Sequence, residues 1–263
     1  KEKHIPDDRL DVFDIHIIEN EEKLKLTGKT TCREAYLKLI DEAKELNTFI
    51  EETIQILPNK KLGEQIWGVV NNSVGDLRAK PTHQSELTTQ VLLGMPIKIL
   101  DKSEDWLQVQ SPEGYIGWMT IGSLHLLTKK ELSDYLKKPT LIVTSHYGTS
   151  NLDIHYKSEP VSDIVNGNML VVEESLKNHY KVTYLDKREA FILKEDALMI
   201  DNWLKEIEIS GESIITTAKQ FMGVPYVWGG TSSKGLDCSG FVKLVYFMHG
   251  LITARDASQQ IKY

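Results

Sequence analysis

The sequence predicts an α+β protein built mostly from short strands, with helices confined to its two ends. Three observations carry that prediction. Residues 11–57 read strand, strand, helix, strand. Residues 66–127 and 141–200 break into short apolar runs separated by turn residues, with no helical period. From residue 211 onward, two helical stretches flank a glycine-rich turn. The chain has 263 residues, a formal charge of −7, 41% apolar and 26% charged residues. That is an ordinary globular composition, long enough for more than one domain. The acidic balance argues against a nucleic-acid partner, which needs a basic stripe. No apolar run approaches the roughly 18–20 residues of a membrane span.

Taken in order, Asp11 to Ile18 and Lys23 to Thr27 alternate as strands, with a turn at Asn20-Glu21. Thr30 or Thr31 is placed to cap a helix running to about Leu46, with Glu34 set for a capping box. Ala35, Leu39, Ala43 and Leu46 would line its buried face, and Thr53 to Leu57 reads as a closing strand. Gly28-Lys29-Thr30 imitates the end of a phosphate-binding loop, but position 23 is Lys where that loop needs Gly. Further on, Pro96 to Leu100 and Trp106 to Gln110 read as strands joined by a charged turn, Asp101 to Asp105. Asn168 to Glu173 and Tyr180 to Tyr184 alternate in a looser repeat of that layout. Asp201 to Glu212 reads as a link, and Gly211 to Phe221 as a helix.

The chemistry concentrates in the run from Trp228 to Phe241. Gly229, Gly230 and Gly235 make a turn that delivers Cys238 to the start of an apolar stretch. Phe241, Leu244, Val245 and Met248 fall at helical spacing, which puts Cys238 in the first turn. There a thiol feels the positive end of the helix dipole, which favours the nucleophilic thiolate. A buried, inert cysteine is the ordinary alternative. The polar rim of Asp237 and Ser239 and the space left by Gly240 favour catalysis. Asp237 also sits where a helix cap belongs. Cys32 reads as incidental, and the two cysteines make no disulfide framework.

The stretch Gly223-Val224-Pro225-Tyr226-Val227-Trp228-Gly229-Gly230, followed by Asp237-Cys238-Ser239-Gly240-Phe241, resembles the nucleophile segment of the NlpC/p60 peptidases, papain-like hydrolases of bacterial cell-wall peptides. Arg255-Asp256-Ala257-Ser258 resembles a segment of the subgroup that cleaves γ-D-glutamyl–diamino acid bonds, dipeptidyl-peptidase VI among them. Val74 to Pro81 and Gly114-Tyr115-Ile116-Gly117-Trp118 resemble the opening and closing signatures of bacterial SH3-like barrels, and Ala190-Phe191-Ile192 stands where a second barrel would close. The resemblance therefore implies a small N-terminal β-β-α-β layer (1–62), two SH3-like β-barrels (63–130 and 139–200), and a C-terminally incomplete papain-like NlpC/p60 domain (205–263).

The same resemblance implies roles. Cys238 is the nucleophile, and Tyr226 supports the oxyanion together with the Cys238 N–H. Trp228 walls the cleft. Glu86 and Tyr115, from the first barrel, meet the substrate's N-terminal amine, because a buried ammonium needs anionic and hydrogen-bonding partners. Asp237, Ser239, Asp256 and Ser258 complete the substrate-binding set. The plain readings are a solvated Glu86, a barrel-packing Tyr115, and capping roles for Asp237 and Ser239. Neither metal nor cofactor is expected, and the implied partners are peptidoglycan-derived peptides with a free N-terminal L-alanine.

The histidines do not fit this picture. His249 alone follows Cys238, eleven residues along the same helix, or about 16 Å along its axis. His4, His16, His83, His125, His146, His155 and His179 precede it and read as structural or surface residues. The expectation is a chain that starts at a processed terminus, breaks off before the strands that carry the general base, and is inactive as it stands. Export is favoured, with cytoplasmic recycling of wall peptides as the other compartment. A non-catalytic wall-peptide binding module is the rival reading. Acyl transfer on lipids by a related superfamily is a third, opposed by the upstream barrels.

Overall fold

The computed structural model describes residues 5–19, 23–46, 49–155 and 157–262. His4, the turn expected at Asn20-Glu21, and Tyr263 lie outside them. Strand β1 (Phe13–Glu19) pairs antiparallel with β2 (Lys23–Thr30); helix α1 (Arg33–Lys44) then returns the chain so that β3 (Phe49–Ile56) runs parallel to β2. Leu24, Leu26 and Ala43 form the small core under this layer, with Ile40, Ile50 and Ile54 packed against them.

Two expectations for this unit are corrected. Neither threonine caps α1; Cys32 takes the cap position, and no side chain caps the helix there. The threonine hydroxyls are engaged elsewhere. Thr31 Oγ1 accepts from the Val12 N–H (3.0 Å) and donates to Asp11 (2.7 Å), and Thr30 Oγ1 accepts from the Cys32 N–H (3.0 Å). Leu46 is exposed, and Ile40 faces the core in its place. Gly28-Lys29-Thr30 lies inside β2, where Lys29 Nζ reaches across to Asp101 (3.0 Å) and Gln108 (3.3 Å) of the next unit.

The first barrel comprises β4 (Trp67–Val70), β5 (Val74–Arg78), β6 (Leu87–Leu92), β7 (Pro96–Ser103), β8 (Trp106–Gln110), β9 (Ile116–Thr120) and β10 (Leu124–Leu127), in the order β10-β4-β7-β8-β9-β5-β6. Asp101 is not a turn residue. It is buried inside β7 next to a register shift and accepts hydrogen bonds from Asn59 (2.7 Å), the Lys102 N–H (2.9 Å) and Lys29. The chain reverses later, at Glu104-Asp105.

Helix α2 (Lys129–Tyr135) follows, closed by a capping box between Thr128 and Glu131. The second barrel holds β11 (Thr140–Val143), β12 (Tyr147–Asn151), β13 (Pro160–Val165), β14 (Met169–Ser175), β15 (His179–Thr183), β16 (Glu189–Leu193) and β17 (Ala197–Met199), ordered β13-β12-β16-β15-β14-β11-β17. Read from its other edge, this is the order of the first barrel with every strand advanced by seven. The weak sequence repeat is a full repeat in topology, and Ala190-Phe191-Ile192 does lie in the strand equivalent to β9.

Where a link was expected from Asp201, helix α3 (Ile200–Glu206) forms and buries Trp203 beside Phe247, ring centroids 6.5 Å apart. Helix α4 (Gly211–Gln220) forms where the sequence indicated and starts at a Ser210 cap. A two-strand hairpin, β18 (Thr231–Ser232) and β19 (Gly235–Leu236), then leads into α5 (Cys238–Phe247) and the short α6 (Ala257–Gln260). One hydrophobic core joins the first barrel to this last segment. Val70, Leu77, Leu92, Ile97 and Met119 pack in the same cluster as Phe221, Leu236, Leu244 and Val245, and Val165 enters it from the second barrel. No helix among the described residues is long and apolar enough to cross a membrane.

The barrels meet through backbone. The Met169 N–H donates to the Leu93 carbonyl (2.9 Å), Asn168 Nδ2 to the Ser73 carbonyl (2.8 Å), and Ser73 Oγ to Asp163 (2.9 Å). Gly94 stands at this seam with φ of 82°, and a β-carbon there would fall 2.2 Å from the Met169 carbonyl oxygen. Gly94→Ala therefore has to part the barrels and strain its own backbone. A loss of roughly 2–4 kcal/mol is expected in a denaturant titration, and an unshifted midpoint would contradict this seam.

Candidate active site

Cys238 occupies the first position of α5 and is exposed to solvent. It owes that position to Asp237, whose carboxylate is bonded on every side. Oδ1 accepts from the Gly240 N–H (2.7 Å), Arg255 Nη1 (3.2 Å) and Ser239 Oγ (3.3 Å), while Oδ2 accepts from the Gly229 N–H (2.9 Å) and Arg255 Nη2 (2.6 Å). One side chain thus caps the helix, closes the glycine turn and neutralises a buried guanidinium. Burial pushes this carboxyl up, but the bonds from Arg255, Gly240 and Gly229 outweigh it and hold it below the usual range. The close packing explains Gly240. A β-carbon there would fall 2.0 Å from the Gly230 carbonyl oxygen, so only glycine lets the first turn of α5 lie on the turn that precedes it.

The hairpin before Cys238 is caught between both barrels. Gln90 Oε1 accepts from the Thr231 N–H (3.0 Å) and Ser232 Oγ (3.2 Å), and its backbone carbonyl accepts from Thr231 Oγ1 (2.9 Å). Ser233 Oγ donates to the His146 carbonyl of the second barrel. Lys234 Nζ reaches Asp163 at 2.5 Å and Ser73 at 2.9 Å. These bonds fix the approach to the thiol from two sides.

The implied site residues fall into two groups. Glu86 and Trp228 form one; Trp228 Nε1 donates to Glu86 Oε1 at 2.7 Å, and both side chains are otherwise exposed. Tyr226 stands beside them in solvent, 65% exposed, and bridges to Leu236 through its backbone. The second group joins Tyr115, Asp237, Ser239, Asp256 and Ser258. Arg255 Nη1 donates to Ser239 Oγ (2.8 Å), and the Asp256 carboxylate acts on the buried Tyr115 phenol. No hydrogen bond or ion pair among the described residues joins the two groups.

Two expectations change in consequence. Asp237 and Ser239 are buried and bonded inward, so their side chains serve the scaffold of the loop, which is the capping role. Tyr115 is not a barrel-packing residue alone, because the Asp256 charge acts on its phenol. Burial, then the Asp256 charge, pushes that phenol up to about 12.

Three participants were not identified from the sequence. Arg255 was quoted in its motif without a role, although a buried guanidinium beside an orphan aspartate is a pairing that sequence can suggest. Arg9 and Asp7 had no signal at all. Arg9 Nη1 donates to Asp256 Oδ2 (2.8 Å) and Ser258 Oγ (3.0 Å), and Asp7 grips the same guanidinium through Nε and Nη2, both at 2.7 Å. Gln259 Nε2 donates to Asp7 at 2.8 Å.

Among the described residues no histidine is hydrogen-bonded to Cys238. His249 is buried with Nδ1 against the Val245 carbonyl (2.9 Å), and His146 stacks on Phe221 at 4.7 Å. No cluster of His, Cys, Asp and Glu among them could hold a metal ion. A cavity of about 760 Å³ lies elsewhere, between Pro6, Leu10, Glu113, Val242 and Tyr246, and excludes the thiol.

Residues 223–263 match the NlpC/P60 family, and residues 77–124 match the bacterial dipeptidyl-peptidase SH3 domain. The chain carries an NlpC/P60 segment. It is similar to a gamma-D-glutamyl-L-lysine dipeptidyl-peptidase of Bacillus cereus, 28% identical over 203 residues that cover 74% of this chain and 60% of that protein. It is also similar to dipeptidyl-peptidase 6 of Lysinibacillus sphaericus, 27% identical over 72% of each chain. The chain thus spans about three fifths of the first relative's length. The fold resembles the solved NlpC/P60 family protein from Bacillus cereus with a TM-score of 0.63 at 24% identity, covering 75% of this chain and 77% of that one. In this NlpC/P60 segment Cys238 is the exposed residue at the head of the helix, and the first barrel lies directly against it.

Two outcomes follow from the electrostatics. Arg255→Met leaves Asp237 buried and unpaired, and a loss of about 3–5 kcal/mol is expected in chemical denaturation. Because the folded Asp237 carboxyl sits below its ordinary value, its contribution is present above about pH 4 and fades as pH falls through the folded value. The acid limb of the stability curve should therefore flatten in Arg255→Met. Tyr115 works in the opposite direction. Its raised phenol stabilises the fold below about pH 10, and that contribution is lost as pH rises toward about 12. Tyr115→Phe should remove that alkaline limb from a pH series of melting temperatures.

Proposed function

We propose that the intact protein is a cysteine peptidase that cleaves the γ-D-glutamyl–diamino acid bond of cell-wall peptides bearing a free N-terminal L-alanine. The observation that carries this reading is an exposed thiol at the first position of a helix whose cap, turn and hairpin are all held rigid. Cys238 Sγ attacks the γ-carbonyl carbon of the glutamyl residue. The N–H groups of the first turn of α5 and the Tyr226 hydroxyl are the proposed donors to the developing oxyanion. The C–N bond then breaks, the diamino acid leaves as its protonated amine, and water hydrolyses the thioester to free L-alanyl-D-glutamate. The leaving amine takes its proton from a general acid, an imidazole in the resembling family. The relatives named for γ-D-glutamyl-L-lysine support lysine or a similar diamino acid as the third residue.

Asp256, Tyr115 and Glu86 are the proposed amine ligands, with Ser258 beside them and Trp228 walling the cleft. Asp237 and Ser239 act by holding the thiol's backbone and Arg255. The division into units 1–62, 63–130, 139–200 and 205–263 belongs to the same proposal, as does a place of action at the cell envelope.

A second reading has its own observation, since no described histidine bonds to Cys238. In that reading the barrels and the NlpC/P60 segment bind wall peptides without cutting them. The test is release of lysine from L-Ala-γ-D-Glu-L-Lys by the intact protein. Cys238→Ala should abolish it, and retained turnover would refute thiol catalysis. A thiol-directed probe separates the binding module, because an inert Cys238 labels no faster than Cys32.

A further inference from the structure

The N-terminal segment reaches into the proposed amine site. Arg9 is anchored by its own backbone; the Ile116 N–H donates to the Arg9 carbonyl at 2.8 Å, next to Tyr115, and Gln110 Nε2 donates to the Leu10 carbonyl at 3.0 Å. Its guanidinium lies in the Asp7 fork, and Asp7 is held in turn by Gln259. With Nε and Nη2 fixed in this way, Nη1 is directed at Asp256 Oδ2 and Ser258 Oγ. The guanidinium is planar and anchored at both ends, so it is a fixed wall and not a loose counter-ion.

On the proposed reading, in which Asp256 receives the substrate's ammonium, we propose that Arg9 is a specificity-determining residue that closes the amine subsite behind the first residue of the peptide. It covers Oδ2 of Asp256, while Oδ1 lies 3.9 Å from Arg255 Nη1. A second backbone unit preceding the alanine has to pass the position the guanidinium fills. The barrel residues Glu86 and Tyr115 then supply attraction for the amine, while Arg9 supplies exclusion, the repulsive half of specificity.

The test is equilibrium binding to the chain carrying Cys238→Ala, so that nothing is consumed. The probes are L-alanyl-γ-D-glutamate, its N-acetyl derivative, and the same dipeptide extended by an N-terminal glycine. The parent should prefer the free dipeptide over the glycyl peptide. Arg9→Ala should gain glycyl-peptide affinity by about tenfold, the scale of one charge-assisted contact removed, while holding the free dipeptide at least as well. Arg9→Lys should recover part of the discrimination. Affinity ratios on one folded sample do not depend on how much of the variant is folded, and a merely structural arginine would not produce a gain. An unchanged ratio in Arg9→Ala overturns this inference and leaves the peptidase reading standing. A parent that binds none of the three probes defeats both.

Discussion

The ion pair between Arg255 and Asp237 is the constraint on which the site rests. Both side chains are buried, with Arg255 2% exposed. Desolvating two charges is expensive, and a pair of this kind holds only when its geometry is good and the remaining donors and acceptors are met. Asp237 meets that condition through the Gly229 and Gly240 N–H groups and the Ser239 hydroxyl. Arg255 meets it incompletely, since its Nε has no partner among the described residues. The pair therefore contributes little net stability but strongly specifies one arrangement. Any movement of the loop before Cys238 leaves a charge buried without a partner.

The barrels turn that local constraint into a rigid site. The hairpin Thr231–Leu236 would be a marginal two-stranded element by itself. It is instead hydrogen-bonded to Gln90, His146, Ser73 and Asp163, and the helix after it shares its core with the first barrel. Ordering the thiol is thus coupled to folding of the barrels and does not have to occur when a ligand arrives. This gives the duplicated barrel a physical purpose. Each copy holds one side of the hairpin that delivers the cysteine.

What was legible in the sequence follows the range of the interactions. Cys238 at the head of α5, the Asp237 cap, the β-β-α-β layer and the strands of both barrels rest on local spacing, and local spacing is what a sequence displays. The missed helix α2 had its signal, Thr128 three residues before Glu131, overlooked between two strand-rich stretches. Asp101 was misassigned because a charged cluster normally marks a turn, whereas here Lys29 and Asn59 from the preceding unit satisfy it inside a strand. Leu46 failed because it lies past the last turn of α1, which ends at Lys44, and is exposed. Arg9 was illegible for the strongest reason. Its partner Asp256 lies 247 positions away, and nothing local to either residue announces the other.

Charge gives the last step. Around the second residue group, Asp7, Asp237 and Asp256 face Arg9 and Arg255, so the carboxylates exceed the guanidiniums by one. Each guanidinium is held by hydrogen bonds to carboxylates of the same network, so neither is free to receive an incoming anion. The surplus negative charge favours a cationic group. A blocked amine carries no such charge and would bury its N–H beside acidic oxygens without electrostatic gain. On the proposed reading, a preference for free over blocked peptides would draw on this surplus of one carboxylate, and Arg9 sets its size.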